Sequence, residues 1–202
     1  QPTSRRLWRT LPSGQLRLSV KNQPRSTPVS VVFIKLAVKH LNIPAPIITA
    51  HLFLVFARMM KKKLRIAVIG GLEEVGRNCT MFEYGNDIII VDMGLQFPEE
   101  DMPGIDYIIP NMSYFKGKEK NIRGVIITHA HLDHIGAIPH IIPILGYPPI
   151  YGLPLTNAII KKRQEDYKNL RPLNINNLKL TDKLRLGSFE LEFIHLNHNI
   201  PD

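Results

Sequence analysis

The chain has 202 residues, room for one ordinary domain or slightly more. Its net charge of +9 suggests a polyanion-binding protein, but residues 1–60 carry nine Lys and Arg and no Asp or Glu, which leaves residues 61–202 with seventeen charges of each sign. The basic excess therefore gives no evidence that the body of the chain grips nucleic acid.

Ordinary usage would place about seven acidic residues in sixty positions, so their complete lack in the first segment needs a cause. An organellar transit peptide is Arg- and Ser-rich and acid-poor. A membrane anchor is a second reading, because His40 to Ala57 carries no Lys, Arg, Asp or Glu. That span is interrupted by Asn42, Pro44, Pro46 and His51, which lower its apolarity. The plainest reading is translated upstream sequence, with the natural start at Met59 or Met60 before Lys61-Lys62-Lys63. Residues 1–59 are accordingly expected to lie outside the fold, with one partial domain over residues 60–202. The chain begins with Gln1 and stops at Asp202 just after a His-rich stretch, so an incomplete domain is expected.

Leu64 to Ile69 reads as a strand stopped by Gly70-Gly71. Thr80 to Tyr84 and Ile88 to Val91 flank Gly85-Asn86-Asp87, the pattern of a hairpin. Cys79, next to that strand, reads as a small buried apolar residue; as the one cysteine it excludes an internal disulfide and suits a reducing compartment. A loop rich in Pro and acidic residues runs from Phe97 to Pro110. Gly124 to Thr128 is β-branched and apolar, as in a buried strand. A helix is expected from Asp133, with Ile135, Ile138, Ile141 and Ile142 at helical spacing and an end near Pro143. Leu155 to Tyr167 reads as a second helix, and Leu184 to Leu186 with Phe189 to Ile194 as a hairpin around Gly187-Ser188. Hairpins with interspersed helices predict a layered α/β architecture.

The chemistry-bearing run is Thr128-His129-Ala130-His131-Leu132-Asp133-His134. On an extended segment, residues i and i+2 point to one side, so His129 and His131 can hold one metal ion. After the turn, Asp133 and His134 can face a second ion. Imidazole nitrogens and carboxylate oxygens are the donors zinc accepts in sites that keep a position open for water. Two such ions can clamp a phosphodiester. Incidental surface histidines would not gather in this way; His40, His51, His140 and His195, standing apart from the run, read as ordinary structural or surface residues.

His-x-His-x-Asp-His after a strand resembles the signature of the metallo-β-lactamase fold, an αββα four-layer sandwich of which only the N-terminal part would be present. Within that superfamily, several segments resemble ribonuclease J: Gly70 to Asn78, Asp92 to Glu100, then Gly104 to Asp106, Ile109-Pro110 and Ser113-Tyr114, and finally Asn197 to Asp202. The resemblance implies that His129, His131 and His198 hold one zinc ion, while Asp133 and His134 contribute to a second. Asp133 is also the implied catalytic carboxylate, and Asp92 supports the site without binding metal. A cytoplasmic, homo-oligomeric RNA-processing enzyme with endonuclease and 5′-to-3′ exonuclease activity is implied, with no membrane partner and no DNA preference.

Glu73 stands where the family usually has Gly, which would alter the turn, and Asn199 replaces the customary Ser. The bridging Asp, the last His ligand and the β-CASP insertion of the family would all lie beyond Asp202. Two further readings compete with the ribonuclease: a hydrolase of a small ester, thioester or lactone, and an inactive metal-binding fragment. On the last reading, strands such as Val125 to Ile127 would be poorly covered.

Overall fold

The computed structural model describes residues 32–36 and 63–200 apart from Asn197 and Asn199. Nine strands fall within this range: β1 Val32–Leu36, β2 Leu64–Gly70, β3 Cys79–Tyr84, β4 Asp87–Val91, β5 Ile122–Ile126, β6 Ile150–Gly152, β7 Ile175–Asn177, β8 Lys183–Leu186 and β9 Phe189–Phe193. Six form one sheet in the order β2-β3-β4-β5-β6-β7, and three form a second in the order β1-β9-β8.

The large sheet changes character at its centre. β2, β3 and β4 run antiparallel, and the β3–β4 hairpin closes over Gly85-Asn86 with Tyr84 opposite Asp87. Gly85 takes φ +64°, which a tight two-residue loop requires. From β4 onward the pairing is parallel, through β5 and β6 to β7. β6 and β7, at three residues each, are too short to show a periodicity and were not expected from the sequence. β5 begins two residues before the expected Gly124 and ends at Ile126.

Parallel central strands are covered on both faces, and the run Ile88-Ile89-Ile90 shows why an alternating pattern is missing there. Ile88 and Ile90 pack with Met81, Val125, Ile138 and Ile141 on the helical side. Ile89 points the other way, with Phe82 and Ile126, into Phe189, Leu191 and Phe193 of the second sheet. Contrary to the expected poor cover, Val125 to Ile127 are all fully buried between these two groups of side chains. The outer face of the small sheet is charged instead of apolar: Lys183 pairs with Glu192 at 3.1 Å, and Arg185 stands opposite Glu190. Helices, large sheet and small sheet thus give three of the four layers of an αββα sandwich among the described residues.

The helix expected from Asp133 is two single turns, α1 Leu132–Ile135 and α2 Ile138–Ile141. Its interruption has a specific cause. The Asp133 carbonyl, which would accept the Ala137 N–H in a continuous helix, accepts the Asn78 N–H at 3.0 Å; the Ala137 N–H goes to the Met93 carbonyl at 2.9 Å. The His134 carbonyl is likewise taken, by the Met93 N–H at 2.7 Å. A third helix, α3, spans Pro154–Gln164, somewhat shorter than the expected Leu155 to Tyr167, with Pro154 in its first turn.

The segment expected to lie outside the fold contributes β1, which pairs antiparallel with β9 from Val32 opposite Phe193 to Leu36 opposite Phe189. An open edge strand offers unpaired N–H and C=O groups to any extended segment, and β1 occupies that edge of β9. The rest of residues 1–59, including the apolar span His40 to Ala57, lies outside the described residues. Among the described residues no helix is long and apolar enough to cross a membrane.

Candidate metal centre

The site forms where β4 and β5 leave the large sheet side by side. β4 ends at Val91, and Asp92 turns the chain with φ +63°, a left-handed conformation that Asp tolerates better than most residues. β5 runs out through Ile127 and Thr128 into an extended His129 to His131, and His131 caps α1 with ψ 149°. The Asp92–Leu95 loop then binds the histidine loop along its backbone. The Leu95 N–H donates to the Leu132 carbonyl at 3.1 Å, and the Gly94 N–H to the Asn78 carbonyl at 2.9 Å.

Three imidazoles converge. His129 Nε2 lies 3.0 Å from His131 Nδ1, and His198 Nε2 lies 3.2 Å from the first and 3.0 Å from the second. Each of these nitrogens carries either a proton or a lone pair, and two of any three must be alike. No choice of tautomers can therefore make all three contacts hydrogen bonds, whereas one cation satisfies three lone pairs together. A tetrahedral ion with N–metal distances near 2.0–2.1 Å requires N···N edges of about 3.3–3.4 Å, close to the triangle observed. Burial first, then the neighbouring histidines, pushes the His129 imidazole down to about 3, so it is neutral and able to donate a lone pair. His198 is lowered for the same two reasons. These residues fit a metal ion.

A second pair stands beside the triangle. Asp133 Oδ2 and His134 Nε2 are 3.3 Å apart, and the His134 ring centroid is 4.1 Å from that of His129. Burial lowers the His134 pKa, but Asp133 and Asp92 outweigh it and raise it to about 9. The hydrogen bond with His134 holds the Asp133 carboxyl below the usual carboxylate range. A cation taken up here would have to displace a proton from His134. Among the described residues the triangle is the one group of three such donors, and this second position has two.

Asp92 serves both positions from behind. Its Oδ2 lies 2.8 Å from His134 Nδ1; since a carboxylate only accepts, Nδ1 carries the proton and Nε2 faces the site. The Thr128 N–H donates to Asp92 Oδ1 at 2.8 Å, and the Thr128 hydroxyl lies 3.0 and 2.9 Å from the two carboxylate oxygens. Having donated there, Oγ1 can accept from His129 Nδ1 at 3.0 Å, which again leaves the Nε2 lone pair facing the other two imidazoles. Outer partners of this kind fix the tautomer and ring orientation of ligating histidines. The family resemblance implies this supporting place for Asp92; Thr128 has no signal in the sequence beyond its position one residue before the first histidine.

The other histidines fall elsewhere. His195 is exposed. His140 stacks on Tyr107, with centroids 4.3 Å apart, and its two nitrogens approach the hydroxyls of Tyr107 and Tyr167 at 3.2 and 3.5 Å. Cys79 is buried, and burial pushes its thiol up to about 12. Glu73 takes φ +58°, a conformation costing a non-Gly residue about 1–2 kcal/mol, so the turn tolerates the replacement of Gly without changing hand. Asn199 lies outside the described residues.

Residues 72–200 match the family model of the metallo-β-lactamase superfamily. The chain is 38% identical over 140 residues to a Ribonuclease J of Synechocystis sp., covering 69% of this chain and 22% of that protein. It is 36% identical over 146 residues to the Ribonuclease J of Thermus thermophilus, covering 69% of this chain and 25% of the relative. A Ribonuclease J of Mycobacterium tuberculosis is 35% identical over 139 residues, again with 69% and 25% covered. The chain thus spans about a quarter of the length of the curated relatives it matches. By the family match over most of its length and by these relatives, the chain belongs to the metallo-β-lactamase superfamily and, within it, to the ribonuclease J family.

Proposed function

We propose that the complete protein is a zinc-dependent ribonuclease, hydrolysing RNA phosphodiester bonds with both endonucleolytic and 5′-to-3′ exonucleolytic action. The observation that carries this reading is the triangle of His129, His131 and His198, in a chain whose curated relatives are named Ribonuclease J. Those three histidines would hold one zinc ion, and Asp133 with His134 would contribute to a second. Bound zinc supplies positive charge against phosphoryl oxygens and lowers the pKa of water.

The chain's own residues do the positioning. Asp92 and Thr128 hold His129 and His134 with Nε2 inward. His129 is buried, which keeps bulk water from its ring and its imidazole neutral. Asp133 stays ionised beside His134 and brings a negative charge to the second position. A buried, unreactive thiol at Cys79 suits a cytoplasmic enzyme.

For the 202-residue chain alone we propose one tightly held ion and no RNA hydrolysis. The supporting observation is that the described residues give the second position only Asp133 and His134. A two-metal clamp needs its ions about 3.5–4 Å apart, which takes further donors.

The protein expressed from its complete reading frame should degrade 5′-monophosphorylated RNA and stop when a zinc chelator is added. His131→Ala should lower the rate by more than about 100-fold, beyond the 10–100-fold typical of outer partners. Turnover of a thioester or lactone with no RNA cleavage would replace this reading with the small-ester one.

A further inference from the structure

The loop between β2 and β3 ends at Asn78, and among the described residues no other outside the histidine run makes as many bonds to Asp133. The Asn78 N–H donates to the Asp133 carbonyl at 3.0 Å. Its side-chain nitrogen lies 3.0 Å from that same carbonyl oxygen, 3.0 Å from Asp133 Oδ2 and 3.3 Å from His134 Nε2. The two Asp133 oxygens settle which way the amide points. Exchanging its nitrogen and oxygen would put an oxygen against two acceptors with no hydrogen between them. The opposite end of the amide is seated on Gly71, where a Cβ would come within 2.6 Å of Asn78 Oδ1. Gly71 itself takes φ +83°, so both its missing side chain and its conformation make room for this amide.

The consequence is that both amide hydrogens are spent on one residue. One fixes the backbone of Asp133 and the other its carboxylate, at the point where Oδ2 faces His134 Nε2 across 3.3 Å. The amide nitrogen has no lone pair to offer a metal, so Asn78 does not itself ligate. The triangle of His129, His131 and His198 has no contact of this kind with Asn78.

We infer that Asn78 is a positioning residue for the second metal position, holding the Asp133 carboxylate in the orientation in which it and His134 can take up a divalent cation. The inference rests on the two-position reading proposed above, but it is read by metal binding alone and so stands or falls separately from RNA cleavage.

The test is zinc titration of the metal-stripped chain, separating the first, tight equivalent from a second, weaker one, with thermal melting as a check on folding. Asn78→Ala keeps the backbone N–H and removes both amide donors; the second equivalent should weaken by about 10–100-fold, the usual effect of losing an outer partner, while the first changes by less than about 3-fold. Asn78→Asp keeps the shape and the seat on Gly71 but sets a carboxylate against the Asp133 oxygens, and its loss should be at least as large. A second equivalent bound by either variant as tightly as by the unsubstituted chain, or more tightly, would overturn the inference. So would equal weakening of both equivalents, which is what a purely structural loop anchor produces. An unsubstituted chain that takes up no second equivalent would overturn it too.

Discussion

Gly94→Ala should unfold the site and lower the melting temperature of the metal-free chain by about 6–12 °C. A Cβ on Gly94 would lie 1.6 Å from the Asp133 carbonyl oxygen and 2.7 Å from the Asn78 backbone nitrogen. Both are backbone atoms already engaged with each other, so no flexible side chain can swing aside to relieve the clash. Overpacking a well-filled position costs about 1–3 kcal/mol, and a clash against backbone belongs at the upper end. For a chain of this length, about 3 kcal/mol corresponds to the stated shift. Because the three segments that meet here carry Asn78, Asp92 and Asp133, zinc uptake should fall along with stability. A variant melting within about 2 °C of the parent would show that these segments are held together some other way.

Asp92→Ala should damage both metal positions in one step. It leaves the Thr128 N–H, the Thr128 hydroxyl and the His134 Nδ1–H without their common acceptor. A fully buried group left unpaired costs about 1–3 kcal/mol, but Thr128 and His134 are half-buried and can recover part of this from water, so a loss of about 2–4 kcal/mol for the three groups is expected in the metal-free chain. Affinity for the first zinc should fall by about 10–100-fold, since His129 loses the relay that fixes its tautomer. The stability loss has a pH signature. The pKa of His134 is raised to about 9 from an ordinary 6.5, partly by Asp92, so this contribution is fully present below about 6.5. It fades as pH rises through about 9, and the gap between parent and variant should narrow over that window. Melting curves from pH 6 to about 9.5 test it, and a gap that widens with pH would contradict the role given to Asp92.

What could be read from sequence was the local chemistry. Three histidines and an aspartate in six residues after an apolar run mark a candidate site through residue type and spacing, and the hairpins at Gly85-Asn86 and Gly187-Ser188 are marked by their turn residues. What could not be read depended on partners far along the chain. Ile135, Ile138, Ile141 and Ile142 have the spacing of one helix, yet Asn78 and Met93 capture the carbonyls that would continue it. The three-residue strands β6 and β7 take their form from the neighbours that pair with them. β1 lies in a segment whose composition pointed away from the fold, but pairing at a strand edge depends on backbone groups and is indifferent to charge. His198 could be assigned only through family resemblance, because its approach to His129 and His131 spans more than sixty residues. Thr128 and Asn78 carry no signal by type; each matters for the atom it places beside a candidate ligand.

His129, His131 and His198 are expected to hold a metal ion together. The direct measurement is the zinc content of the 202-residue chain, purified without added metal or chelator, beside that of His131→Ala. About one zinc per chain is expected in the parent and almost none in the variant, with the variant still folded, because three protein ligands suffice for one ion. A folded parent free of metal, or a variant that retains its zinc, would contradict it.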